Sequence, residues 1–208
     1  APLTPPISSI VAVTAVSRDF PLASASATVT ISGYSTSSLK GQFAFSMSGR
    51  NASGAFFRAG SFSADGSGRL TGGLEDINDA SGVTPAPISF IGTYTMGADG
   101  RGTLQFLDGR TPANFNFVLV SGTQLKITGF DATGTASGQA DAQNLSDFNA
   151  SGLFGTYVFD FAGVDGANTL SQIGEFTANG GGSITGGLAD INDGGLIFPQ
   201  VAVTGGSY

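Results

Sequence analysis

The sequence predicts an all-β protein: antiparallel meander repeat domains, barrel-like or sandwich, with no significant helix. Three observations predict this class. Phe43-Ala44-Phe45-Ser46-Met47 alternates with period 2, and Tyr157-Val158-Phe159-Asp160-Phe161 repeats the pattern, as half-buried strands do. The breaks between such runs carry hairpin chemistry. In Asp65-Gly66-Ser67-Gly68 and Asp99-Gly100-Arg101-Gly102, glycine supplies the positive φ that tight turns demand. No window of 11 residues shows a helical apolar stripe.

Each element follows in chain order. Residues 7–16 and 25–32 are β-branched and alternate, as in Val11, Val13, Ala15 and then Ala27, Val29, Ile31. They read as two strands around a loop at 17–22. About thirty residues bury too little surface to fold alone, so these strands need a partner. Eight strands are expected next, near 41–48, 56–64, 68–74, 88–97, 102–107, 113–120, 124–130 and 134–140. Turns at 65–68, 98–102, 107–109, 121–122 and 131–134 separate them. Connections this short favour a meander that closes as an up-and-down barrel over a sandwich.

The chain is organised by a repeat. Thr71-Gly72-Gly73-Leu74-Glu75-Asp76-Ile77-Asn78-Asp79 returns as Thr185-Gly186-Gly187-Leu188-Ala189-Asp190-Ile191-Asn192-Asp193, 114 residues later. The same offset holds without a gap from Leu39/Leu153 to Tyr94/Tyr208, with 20 identities in 56 positions. Ungapped identity at that level indicates duplication. The organisation is therefore two N-terminal strands over 1–38, a complete repeat over 39–143, a polar linker over 144–152, and the first half of a second repeat over 153–208.

Composition removes much chemistry. The 208 residues include no His, Cys or Trp, 33 Gly and 17 Phe. Glycine is more than double its usual share of roughly 7%. Without His or Cys there is no imidazole base, thiolate nucleophile, iron–sulfur cluster or disulfide. Eight Lys and Arg against 15 Asp and Glu, a net charge of −7, argue against a polyanionic partner such as nucleic acid. No run of 18 apolar residues predicts a membrane-spanning helix. The opening residues Ala1-Pro2-Leu3-Thr4 lack the features of a signal peptide, and the chain reads as a mature or excised segment.

Four strings resemble a Gly-rich β module of large secreted or surface proteins of Acidobacteria. They are Gly60-Ser61-Phe62-Ser63-Ala64-Asp65-Gly66, Gly73-Leu74-Glu75-Asp76-Ile77-Asn78-Asp79, Gly92-Thr93-Tyr94-Thr95-Met96-Gly97-Ala98-Asp99-Gly100-Arg101-Gly102-Thr103-Leu104, and Phe130-Asp131-Ala132-Thr133-Gly134. The resemblance covers about 39–143 and again 153–208, and implies an extracellular setting with no catalytic residues to carry over. Val11-Ala12-Val13-Thr14-Ala15-Val16-Ser17 and Ala25-Ser26-Ala27-Thr28-Val29-Thr30-Ile31 resemble the last strands of a bacterial immunoglobulin-like domain.

The repeated Asp-x-Asn-Asp is the candidate metal site: Asp76, Asn78 and Asp79, and again Asp190, Asn192 and Asp193. Closely spaced oxygen ligands are what Ca²⁺ requires. The competing and favoured reading is turn capping, in which Asp and Asn side chains accept nearby backbone N–H groups. Asp65-Gly66-Ser67-Gly68 reads as a hairpin turn, not a calcium loop. Glu75 beside Asp76 suggests paired carboxylates, but the second copy carries Ala189 at the Glu75 position. Three Asn-x-Ser strings, at Asn51, Asn144 and Asn149, read as chance matches to the glycosylation pattern.

The functional expectation is a non-enzymatic extracellular structural or adhesive β-repeat protein without a cofactor. Its form would be a filament subunit in which the N-terminal strands of one chain complete the half-repeat of the next. The alternative is a carbohydrate- or small-apolar-ligand-binding module of a cell-surface protein. Expected partners are other copies of the chain, or glycans.

Overall fold

The computed structural model describes residues 8–16, 24–109, 112–129, 134–165 and 168–208. The loop read at 17–22 and most of the turn read at 131–134 lie outside them. The chain divides into two compact units, one running to Gln143 and one from Asn144 to Tyr208.

In the first unit, β1 (Ser8–Val16) and β2 (Ser24–Ser32) form a two-stranded antiparallel sheet with Val11 opposite Val29 and Val13 opposite Ala27. The eight expected strands follow as β3 (Lys40–Asn51), β4 (Gly54–Asp65), β5 (Arg69–Asp79), β7 (Ile88–Met96), β8 (Arg101–Leu107), β9 (Ala113–Ser121), β10 (Gln124–Gly129) and β11 (Gly134–Ala142). A short β6 (Gly82–Val83) pairs beside β5. Each of the eight pairs antiparallel with its sequence neighbour, and β11 returns to pair with β3 from Gly134↔Asn51 to Ala142↔Phe43. The result is a closed, eight-stranded up-and-down barrel, which leaves no free sheet edge.

Alternation sends one side of every strand into the barrel. Phe43, Phe45, Met47, Phe62, Phe90, Leu104, Phe106, Phe115, Phe117, Leu125 and Ile127 are all buried. The rings form one continuous cluster, with Phe90 stacked on Phe106 at 4.3 Å and Phe106 against Phe115 at 5.1 Å. Eight strands enclose an interior just wide enough for side chains to fill. Here the rings fit because glycines lie beneath them. A Cβ on Gly73 would meet the Phe90 ring at 2.3 Å, and one on Gly102 the Phe117 ring at 2.6 Å. The high glycine content is therefore partly the counterpart of the high Phe content.

One end of the barrel is closed by the segment before β3. Leu39 is fully buried, Tyr34 packs against the core, and Tyr34 N–H donates to Ala98 O at 3.1 Å.

The second unit repeats half of this plan. Its strands β12 (Phe154–Asp165), β13 (Asn168–Asn179) and β14 (Ser183–Asp193) coincide with β3, β4 and β5 at the 114-residue offset. β15 (Leu196–Ala202) and β16 (Gly206–Ser207) complete a five-stranded antiparallel sheet. Registers match too: Ser183↔Ser207 and Ile184↔Gly206 reproduce Arg69↔Thr93 and Leu70↔Gly92. Where the first copy breaks between β6 and β7, β15 runs on, with Gln200 at φ 54.

Candidate functional site

The Asp-x-Asn-Asp strings are strand, not loop, through their length. Along β5, Glu75 and Ile77 are buried while Asp76 and Asn78 are exposed, so these two share the outer face. Asp79 falls on the opposite parity at the strand end, half-buried, and accepts Ser81 N–H at 2.8 Å. In the second copy, Asn192 accepts Gly195 N–H at 2.9 Å and Asp190 accepts Gln200 N–H at 2.7 Å. Asp193 is half-buried, with one carboxylate oxygen out of solvent. Asp79, Asn192 and Asp190 thus cap backbone N–H groups, and strand alternation separates Asp79 from Asp76 and Asn78. Among the described residues no three acidic side chains are grouped to hold a metal ion.

The hairpin loops have a repeated design. Asp65 Oδ1 accepts Ser67 N–H at 2.7 Å and Arg69 N–H at 3.0 Å. Asn179 accepts Gly181 N–H at 2.8 Å and Ser183 N–H at 3.1 Å, the same two bonds 114 residues on. At Asp65 the Ser67 hydroxyl, then the Ser67 and Arg69 backbone, lower the carboxyl pKa from 3.8 to about 2. The three Asn-x-Ser strings are turns of the same kind: Asn51 accepts Ser53 N–H, Asn144 accepts Ser146 N–H, and Asn149 accepts Gly152 N–H.

An ion pair sits inside the barrel. Arg58 Nη1 lies 3.4 Å from Glu75 Oε2, and the Glu75 side chain is fully buried. Sequence reasoning singled out Glu75 for its neighbour Asp76, although the two face opposite sides of β5, and it missed Arg58. A signal was present. At the 114-residue offset both members change together, to Gln172 and Ala189, which fits a pair whose single loss would leave a buried charge uncompensated.

A tyrosine latch appears in both units. Tyr94 donates its hydroxyl to Leu39 O at 2.7 Å and Thr36 O at 3.1 Å. Tyr208 donates to Leu153 O at 2.7 Å and Ala150 O at 3.2 Å. Burial raises the Tyr94 phenol above its usual pKa.

The units differ in what covers their aromatic face. In the first, β8–β11 close over it. In the second, the side equivalent to the barrel interior carries Tyr157, Phe159, Phe161 and Phe176, with Tyr157 stacked on Phe176 at 5.6 Å. Phe161 there is 59% exposed and Tyr208 42%. The opposite side holds a shallow apolar depression lined by Val158, Ile173 and Leu188, flanked by Glu175, Asp190 and Gln200.

No protein-family model matches the chain, and no curated protein does. Solved structures similar to it include designed barrels. A de novo designed fluorescence-activating β-barrel aligns with TM-score 0.38 and 11% identity, over 52% of this chain and 96% of its own. A redesigned β-barrel bound to DFHBI aligns with TM-score 0.37 and 17% identity, over 51% of this chain and 97% of its own.

Proposed function

We propose that this chain is a non-enzymatic structural or adhesive β-repeat protein of the cell exterior, assembled through strand complementation between chains. The observation that carries this reading is the pair β1 and β2, which among the described residues form a two-stranded antiparallel sheet separate from the barrel sheet. The unpaired edges of such a sheet are a template for further strands. The filled interior of the complete barrel supports a structural role over ligand storage, since its inward positions are occupied by packed Phe and Leu side chains. The acidic, Cys-free, Gly-rich composition supports the exterior setting.

In the filament form of this reading the donors are β1 and β2, which among the described residues pair with each other. Light scattering and negative-stain microscopy of the full chain test assembly. The expected result is concentration-dependent species above 20.8 kDa, with loss of polymers when residues 1–32 are deleted if β1 and β2 are the donors. A monomer at every concentration overturns the reading. Binding on a glycan array by such a monomer would point to the carbohydrate-binding alternative.

A further inference from the structure

The outer side of β12–β14 has diverged from that of β3–β5, while the inner side has not. At the 114-residue offset the inward aromatics are kept, Phe45 as Phe159 and Phe62 as Phe176. The outward positions change: Ala44, Ser46, Ala59 and Ser61 become Val158, Asp160, Ile173 and Glu175. Leu74 and Asp76 remain as Leu188 and Asp190. Core packing demands none of these changes, because a closed barrel leaves this side in water. Leu74 on the complete barrel is 52% exposed, and its counterpart Leu188 48%.

Strand register turns the changes into a pattern. Asp160 stands opposite Ile173, and Ile173 opposite Asp190, a row of acid, apolar, acid across three adjacent strands. The neighbouring row is Val158, Glu175, Leu188. Most of these side chains line the shallow depression on this side. Residues 144–208 contain six Asp and Glu and no Lys or Arg, so no cation of their own unit answers them.

The outer wall of the barrel carries the opposite pattern. Arg101 stands opposite Val118, and Val118 opposite Lys126, a row of cation, apolar, cation across β8, β9 and β10. All three are exposed, and they line a shallow depression of about 270 Å³. Arg101 Nε donates to Asp99 at 2.7 Å and Lys126 Nζ to Gln139 at 2.6 Å. Each head carries further donors beyond that bond. The neighbouring row is Thr103, Asn116, Thr128, uncharged and able to donate to a carboxylate. In both faces the flanking charges are two strand spacings apart, about 9–10 Å.

We propose that these two faces dock on each other between copies of this chain. The Asp160–Ile173–Asp190 row of one copy lies against the Arg101–Val118–Lys126 row of a second, and Glu175 lies over Asn116. Sheets packed face to face keep their strands within about 30° of each other, so the rows superpose. Complementary charge fixes this register, and like faces repel. The contact uses side chains on sheet faces rather than main-chain edges, which makes it independent of strand complementation. Its small area and exposed ion pairs make it weak and salt-sensitive.

The test is sedimentation velocity of the full chain across concentration, at low and high salt. Association is expected at low salt and should weaken about tenfold as salt screens the pairs. Arg101→Glu with Lys126→Glu should weaken it by about as much, and so should Asp160→Lys with Asp190→Lys. A chain carrying all four changes should associate like the parent, because the swap restores complementarity. Melting curves check that each variant folds. Where a reversal lowers the melting transition, Arg101→Gln with Lys126→Gln reads the same loss. A parent chain that is monomeric at low salt overturns the proposal. Association indifferent to both reversals does so too, as does a fourfold variant no better than the double ones. Deletion of residues 1–32 separates the two modes of assembly. Oligomers that survive the deletion but not charge reversal support the face contact alone. Oligomers lost on deletion yet indifferent to reversal support strand complementation and sink this contact.

Discussion

Tyr94 ties the start of the barrel to its middle through one hydroxyl donating to two carbonyls, Leu39 O and Thr36 O. Tyr94→Phe removes the donor from a buried site and is expected to cost about 1–3 kcal/mol in urea unfolding. Tyr208→Phe should cost less, because water reaches that site. Asp65 sets a second residue-scale prediction. Its folded pKa, about 2, lies below the usual 3.8. A carboxylate lowered in this way contributes stability that is fully present above pH 4 and lost as pH falls through about 2. Asp65→Asn, which copies Asn179, should flatten the acid limb of the first unit's stability between those values. An unchanged pH profile would show that the Ser67 and Arg69 bonds carry no linkage.

At the scale of elements, the barrel wall and its filling are matched pairwise. Gly73→Ala would place a methyl within the Phe90 ring, and overpacking of this sort costs about 1–3 kcal/mol. Neighbouring Gly72 has open space around its Cβ position, so Gly72→Ala should stay within about 0.5 kcal/mol of the parent. Equal effects at the two positions would mean that backbone freedom, not ring packing, explains the glycines. The Arg58–Glu75 pair links β4 to β5 inside the barrel. Arg58→Gln alone takes the guanidinium from a buried carboxylate, and breaking such pairs costs up to about 3–5 kcal/mol. The double change Arg58→Gln with Glu75→Ala, the state of the second repeat, should recover most of that loss in thermal melts. A double variant as unstable as the single one would argue against direct coupling.

For the whole molecule, the buried core of the first unit draws its members from residues 39–140, and the barrel closes through its own β3 and β11. Truncation after Gln143 should therefore leave a folded barrel with an unchanged melting transition. Loss of that transition would show that residues 144–208 support the barrel. Circular dichroism of the truncated chain should keep its β signal.

All eight barrel strands were legible in the sequence, because period-2 alternation and Asp-Gly turns are local properties. The repeat was legible as well, and with it the equivalence of Tyr94 and Tyr208. Pairing of β11 with β3, more than eighty residues apart at their ends, was decided only by the tertiary structure. Barrel and sandwich share the same strand pattern and differ in which edges meet. The inner surface was likewise hidden. Alternation shows that Arg58, Phe62, Glu75 and Ile77 each alternate with outward neighbours, yet only the β4–β5 register, with Arg58 opposite Ile77 and Gly60 opposite Glu75, brings Arg58 diagonally to Glu75. Residues 76–79 looked like a turn by composition. They became the end of a strand because the buried neighbours Glu75 and Ile77 hold that segment in the barrel wall, leaving Asp79 alone of the first triplet to cap a turn.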